Sequence, residues 1–569
     1  MTHSWTWSVG LVLCALQSGA PVQSAPPASD HLAWWREARL GLFVHWGPVS
    51  LAGTEIGWSR GREVPIERYD QLYKSFDPQR FDAAQWVSTA KEAGLRYVVL
   101  TTKHHDGFSL YDTQQSEYSV MHTPYARDVT SALASECARQ GLRFGAYYSI
   151  IDWYHPDYLP RGAGDERPEA QADFERYVAF AKAQLRELLT GYPNVDLLWF
   201  DGQWEPHWSF ARGRDLEAYC RALRPGVIIN NRVAQSGGEG TEPAGDYDTP
   251  EKTVGAYRDD RAWETCDTLA QQWAWKPDDE LKSLDELLRL VARVVGGDGN
   301  LLLNVGPMPD GGIEPRQVER LKQLGAWLSR NGESIYGTRG GPFLPRGELT
   351  STRKGSTIYL HVLEWPREGL VIPPFEGRIL SARRVDGGKL QSEPGQAGLR
   401  LQVAQGERGA ADTVVALELD SPAMTLVPRQ LRLPGDAASF ARPATASNVY
   451  RGAAQWGPDK ALDADEATRW ATDEEAHQPW LEVDLGGTVE LGRAVLRVPQ
   501  EYAGRIRAFE VRCQLDGQWT TACRGEKPGA QWEQTFGPLR AQRVRLVVTE
   551  SAGGPTVSTF EVFPPGSNR

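Results

Sequence analysis

A chain of 569 residues with 41% hydrophobic and 24% charged content is long enough for several globular units and ordinary enough in composition to fold as such. Its net charge of −12 argues against a nucleic-acid partner, because phosphate binding concentrates Lys and Arg. No segment reaches the roughly 18 consecutive apolar residues that a spanning helix needs, so no membrane span is expected.

In chain order, the first element reads as an address. Trp5 to Leu16 is nearly all apolar, and small residues and prolines follow in QSGAPVQSAPPAS. This predicts a signal peptide over 1–25 and a secreted or periplasmic product. Leu13 is bulky where a lipoprotein signal before Cys14 wants a small residue, which favours a soluble product. Beyond Cys14 stand Cys137, Cys220, Cys266, Cys513 and Cys523, an odd number, so at least one is expected free or intermolecular. Cys513 and Cys523 either pair across a hairpin or are two small buried residues.

Over 30–337, short apolar runs alternate with helix-like stretches. The runs are LGLFVHW, YVVLTTKHHD, FGAYYSII, VDLLWFDG, GVIINNR and NLLLNVG. FDAAQWVSTAKEAG, ERYVAFAKAQLRELLTGY and SLDELLRLVARVVGG place apolar residues at helical spacing. Runs without polar alternation suit parallel strands covered on both faces, so the expectation is an α/β fold, a (β/α)8-like TIM barrel. A doubly wound sheet is the rival, but no GxGxxG follows a strand. Over 338–434, STIYLHVLEW, GRILSARRV and TVVALELD read as a small β-sandwich, and 441–565 as a second all-β unit.

Barrel enzymes work at the C-terminal ends of their strands. The runs end in His45; in Lys103, His104, His105 and Asp106; in Tyr147, Tyr148 and Ser149; in Trp199 and Asp201; and in Asn231 and Arg232. Glu264 follows in RAWETC, with Trp273 and Trp275 beyond. Polar and aromatic groups recurring at these ends suit a hydroxylated ligand, and the 21 Trp lean the same way, since indole faces stack on sugar C–H faces. An adjacent His-His pair also raises a metal site. Neighbouring strand residues point to opposite faces, however, and no HxH or HExxH spacing accompanies the pair.

FVHWGPVS, LTTKHHDGFSLYDT, GAYYSIIDW, LLWFDGQW, RAWETC and GNLLLNVGPMPDG resemble, in order, the motif series of the family 29 α-L-fucosidases. The resemblance implies exo-hydrolysis of terminal α-L-fucose from fucosylated oligosaccharides or glycoconjugates, with retention and without a catalytic cofactor. Such chemistry uses two carboxyls about 5–5.5 Å apart. Asp201 matches the family nucleophile. Glu264 matches a family Trp-Glu and is the first candidate for the acid/base; Glu251 in GDYDTPEK is the second, with Glu239 and Glu242 behind it. His45, His104, His105, Tyr148, Trp199 and Arg232 match positions around the sugar. Trp58 matches the Trp of a family Glu-Trp pair, but Gly57 precedes it, leaving Glu55 as a substitute.

The last unit resembles discoidin-like (family 32) carbohydrate-binding modules through KALDADEATRWAT, PWLEVDLG and TFEVF. That resemblance implies a structural Ca²⁺ held by Asp463, Asp465, Thr468 and Glu561, the acidic loop being otherwise a solvated turn. Two other functions remain beside the fucosidase: a non-catalytic glycan-binding barrel, and an exo-glycosidase for a fucose-like sugar such as α-L-galactose.

Overall fold

The computed structural model describes residues 30–192, 194–238, 240–254, 257–366, 369–395, 398–409, 411–431, 433, 436–463 and 468–566. The expected signal peptide and Cys14 lie outside these residues, as do Glu239 and Asp465. No helix among the described residues is long and apolar enough to cross a membrane.

Seven parallel strands form the first unit: β1 (Leu40–Val44), β2 (Tyr97–Lys103), β3 (Arg143–Ser149), β4 (Val195–Asp201), β5 (Ile228–Ile229), β6 (Glu264–Thr268) and β7 (Asn300–Val305). Their order is β5-β4-β3-β2-β1-β7-β6. Helices Ala83–Glu92, Val129–Gln140, Phe174–Gly191, Phe210–Leu223, Leu284–Gly296 and Pro315–Asn331 pack outside it. Several are capped at their N-termini; Asp82, Asp128 and Asp173 accept from first-turn amides, and Ser283 with Glu286 forms a capping box.

An irregular eighth stave closes the ring between β5 and β6. On one side Asp246 N donates to Ile229 O and Asn231 N to Tyr247 O. On the other, Asp248 N donates to Ala262 O, Glu264 N to Asp248 O, Cys266 N to Pro250 O and Lys252 N to Cys266 O. Pro250 has no amide to donate, so this stave makes single bridges rather than a ladder. Tyr247 reaches the barrel interior with Phe43, Tyr97, Tyr147, Leu197, Trp199, Cys266 and Leu302, a second apolar cluster inside the one between strands and helices. The N-terminal helix Ala33–Ala38 closes the floor with Trp35.

The second unit has a five-stranded and a three-stranded antiparallel sheet. Tyr359, Val414 and Ala416 from it join the barrel's outer core, and Asp298 after Leu284–Gly296 takes Arg39, Arg339 and the Gly340 amide. The third unit is antiparallel, built on Trp480–Arg497, Ile506–Leu515, Gln518–Glu526, Gln531–Ser551 and Thr559–Phe563 around buried Trp470. Cys513 and Cys523 sit on neighbouring strands as buried free thiols; Cys513 pairs in register with Thr520 and Cys523 with Val511.

Candidate active site

Asp201 ends β4, and Gly202 follows with φ +91°. A Cβ there would meet the Ile151 side chain at 2.6 Å, so only glycine lets the chain leave the strand at this point. Asp201 Oδ2 accepts from Tyr147 Oη at 3.0 Å and Oδ1 from Arg232 Nη1 at 2.8 Å. Burial alone would raise its pKa; the Arg232 charge, with the hydrogen bonds from Arg232 and Tyr147, outweighs that and holds the carboxyl below the usual range. Asp201 is therefore ionised at neutral pH and fixed at two points.

Arg232 follows β5. Its Nε donates to Thr249 Oγ1 at 2.9 Å and its Nη2 to Thr249 O at 3.1 Å and to Glu251 Oε2 at 3.0 Å. One guanidinium thus joins the Asp201 and Glu251 carboxylates, from β4 and from the end of the eighth stave. Glu251 is 42% exposed, while Asp201 is nearly buried.

The histidines present acceptors. Ser149 Oγ donates to Ile151 O, so it accepts from His105 Nδ1 at 2.7 Å. Asn304 Nδ2 donates to Trp273 O, so its Oδ1 accepts from His45 Nδ1 at 2.6 Å. Burial lowers His45 to about 3 and His105 to about 4, and His104 well below its ordinary value, so the rings are neutral. Each neutral ring with a protonated Nδ1 leaves Nε2 as a bare acceptor, and that of His105 lies 3.7 Å from Asp201 Oδ2. His104 stacks on Tyr147 at 5.3 Å and 6°.

Trp58 packs edge-on against His105 at 5.3 Å. Gly57, at φ +68°, places its Cβ direction 3.1 Å from His104 Nδ1 and from His105 Cβ, so a side chain before Trp58 would be crowded and in a left-handed conformation that favours glycine. Glu55 is no substitute. Its carboxylate accepts from the Trp273 and Ala274 amides at 2.9 and 3.0 Å, tying down the loop after β6.

Two expected residues lie elsewhere. Tyr148 points out of the barrel to Gln184 Oε1 at 2.9 Å, and Tyr147 faces Asp201 instead. Strand parity could have found this: Tyr147 pairs with Trp199 and Ser149 with Asp201, all inward. Glu264 opens β6 rather than ending a strand, so it stands at the barrel floor. It is fully buried and accepts from Trp35 Nε1 and Tyr97 Oη on Oε2 and from Trp199 Nε1, at 3.2 Å, on Oε1. A leaving-group oxygen above Asp201 does not reach it. Glu242 is exposed on the segment before the eighth stave.

Sequence reasoning also missed Trp204, three positions after Asp201 in the same loop. It is 44% exposed, nearly parallel to Trp58 at 6.5 Å and 17°, and edge-on to His105 at 5.8 Å. A Trp three positions after Asp201, in LLWFDGQW, is the signal that was available.

Burial raises Glu264 from 4.5 to about 7. The folded chain then holds a proton that the unfolded chain has lost, so this residue's contribution to stability falls as pH rises from about 4.5 to about 7. Glu264→Gln, always neutral, is expected to remove that slope, worth on the order of 3 kcal/mol across the window. Urea unfolding of both proteins at a series of pH values checks it; parallel curves would refute it.

Among the described residues, no three or more His, Cys, Asp or Glu side chains gather to hold a metal. Asp106 accepts from Tyr69 Oη and the Phe108 amide. In the third unit Thr468 Oγ1 contacts the Asp463 carboxylate, while Glu561 faces Arg497 at 3.4 Å.

A family model described as alpha-L-fucosidase matches residues 20–333, more than half of the chain. The chain belongs to the alpha-L-fucosidase family. Residues 443–562 match the F5/8 type C domain. Bovine tissue alpha-L-fucosidase is 31% identical over 368 residues, 60% of this chain and 76% of that protein. Among solved structures, alpha-L-fucosidase isoenzyme 1 from Paenibacillus thiaminolyticus has a TM-score of 0.64 at 32% identity, over 69% of this chain and 99% of that one. An alpha-L-fucosidase from Bacteroides thetaiotaomicron, trapped as a covalent intermediate with 2-fluoro-fucosyl fluoride, has a TM-score of 0.63 at 26% identity, over 70% and 98%. This fucosidase-family chain is a glycoside hydrolase, which sets aside the glycan-binding barrel without catalysis.

Proposed function

We propose that this glycoside hydrolase removes terminal α-L-fucose from fucosylated glycans with retention, Asp201 acting as nucleophile and Glu251 as acid/base. The observation that carries the reading is the Arg232 bridge, which brings an ionised, buried carboxylate and a solvent-reaching one to the same end of the barrel. Asp201 attacks the anomeric carbon while the glycosidic bond breaks; the electron pair goes to the leaving oxygen, which takes a proton from Glu251. Water then attacks the glycosyl-enzyme, giving its proton to Glu251, and Asp201 departs. Two inversions leave the α configuration. No step passes through a metal or cofactor. The bare Nε2 acceptors of His45 and His105 suit donation from sugar hydroxyls, and the nearly buried nucleophile suits a chain end rather than a chain middle.

NMR of 4-nitrophenyl α-L-fucoside hydrolysis tests this. α-Fucose should appear first and mutarotate afterwards. First release of β-fucose would overturn retention, and inertness towards aryl fucoside and fucosylated oligosaccharide alike would overturn the substrate; turnover of the α-L-galactoside at an equal kcat/KM would widen it to fucose-like sugars.

A further inference from the structure

We infer that Glu264, though remote from the reacting atoms, is a positioning residue that sets the nucleophile through Trp199. The inference rests on Asp201 being the nucleophile. Trp199 lies two residues before Asp201 on the same inward face of β4. One face of its indole carries Tyr147, at 5.5 Å and 18°; the Arg232 guanidinium lies over the ring at 4.9 Å. These are the two side chains that hydrogen-bond Asp201. The indole therefore acts as a spacer that fixes where both donors stand.

What fixes the indole is its one polar atom. Nε1 donates to Glu264 Oε1, and Glu264 is anchored in turn through Oε2 by Trp35 from the floor helix and Tyr97 from the start of β2. Phe43 packs on the indole at 5.2 Å and 53° but offers no acceptor. Packing of flat rings tolerates rotation in their plane, whereas a hydrogen bond to an anchored carboxyl does not. A line of contacts thus runs from the floor helix to the catalytic face: Trp35 and Tyr97, Glu264, Trp199, then Tyr147 and Arg232, then Asp201.

The geometry also says which replacement preserves the function. Gln keeps an oxygen for Trp199 and offers its amide to Tyr97 Oη, which can accept; Trp35 Nε1 loses its acceptor, but the bond that fixes the indole of Trp199 is kept, so Glu264→Gln should label near the wild-type rate. Leu fills similar volume with no acceptor and releases the indole. Trp199→Phe keeps an aromatic spacer but removes the donor from the other side of the same bond.

The experiment measures the rate at which 2-fluoro-fucosyl fluoride labels the enzyme, with the labelled residue located by peptide mass. Glu264→Leu and Trp199→Phe are each expected to slow labelling by about 10- to 100-fold, the usual cost of a small misplacement of a reacting group. The double variant should be little slower than the worse single one, because both act through one bond. The acidic limb of the kcat/KM profile should move to higher pH in both, as Asp201 loses the donors that favour its ionised form. Losses that multiply in the double variant, or an unmoved acidic limb, would overturn the inference and leave Glu264 a purely structural residue. If Glu264→Leu does not fold, Trp199→Phe and Glu264→Gln decide alone: slow labelling in the first with normal labelling in the second supports the inference, and normal labelling in the first overturns it. A label found on a residue other than Asp201 would instead refute the nucleophile assignment.

Discussion

Asp201→Ala is expected to lower kcat/KM on aryl α-L-fucosides by at least about 1,000-fold while free fucose still binds. The loss follows from removing the attacking atom, and the hydroxyl contacts of the histidines stay in place. Added azide should restore turnover in this variant from the face that Asp201 vacates. The product is then β-L-fucosyl azide, formed with one inversion. Proton NMR of that product reads the anomeric configuration directly. Turnover near that of the wild type, or an α-azide product, would remove Asp201 from the role.

The second large effect is at Glu251. Glu251→Ala should lose on the order of 100- to 10,000-fold on fucosylated oligosaccharides, whose leaving sugar needs a proton, and much less on fucosyl fluoride, which does not. Azide should rescue it too, but by attacking the glycosyl-enzyme, so the product is α-L-fucosyl azide. The two variants are thus told apart by the stereochemistry of one added nucleophile. Equal losses on all leaving groups in Glu251→Ala, with a leaving-group-selective loss in Glu264→Ala, would return the acid/base role to Glu264.

These assignments show what the sequence could and could not say. The six apolar runs and the long helices were legible because burial on both faces leaves a continuous hydrophobic signal. Asp201 was legible because its strand, VDLLWFD, is such a run and its end is marked by glycine. β6 was not legible: ETCDT is buried yet polar, so it does not read as a strand, and Glu264 could not be placed at one end or the other. The eighth stave was hidden for a related reason, since GDYDTPEK carries Pro250 and four charges and leaves no apolar run. Tyr147 against Tyr148 was a question of parity, and one position of slip exchanges the inward and outward faces.

The way the ring closes has a consequence for change in this enzyme. Asp201 stands on a strand paired along its length on the β3 side, and it cannot shift without disturbing the whole sheet. Glu251 stands on a segment fastened by isolated bridges and by Arg232. A change of length in the stave that carries Glu251 would reposition that carboxylate without interrupting a continuous ladder. Since carboxyl separation decides whether water or protein attacks the sugar, this is the part of the barrel where stereochemical outcome and leaving-group tolerance are open to redesign.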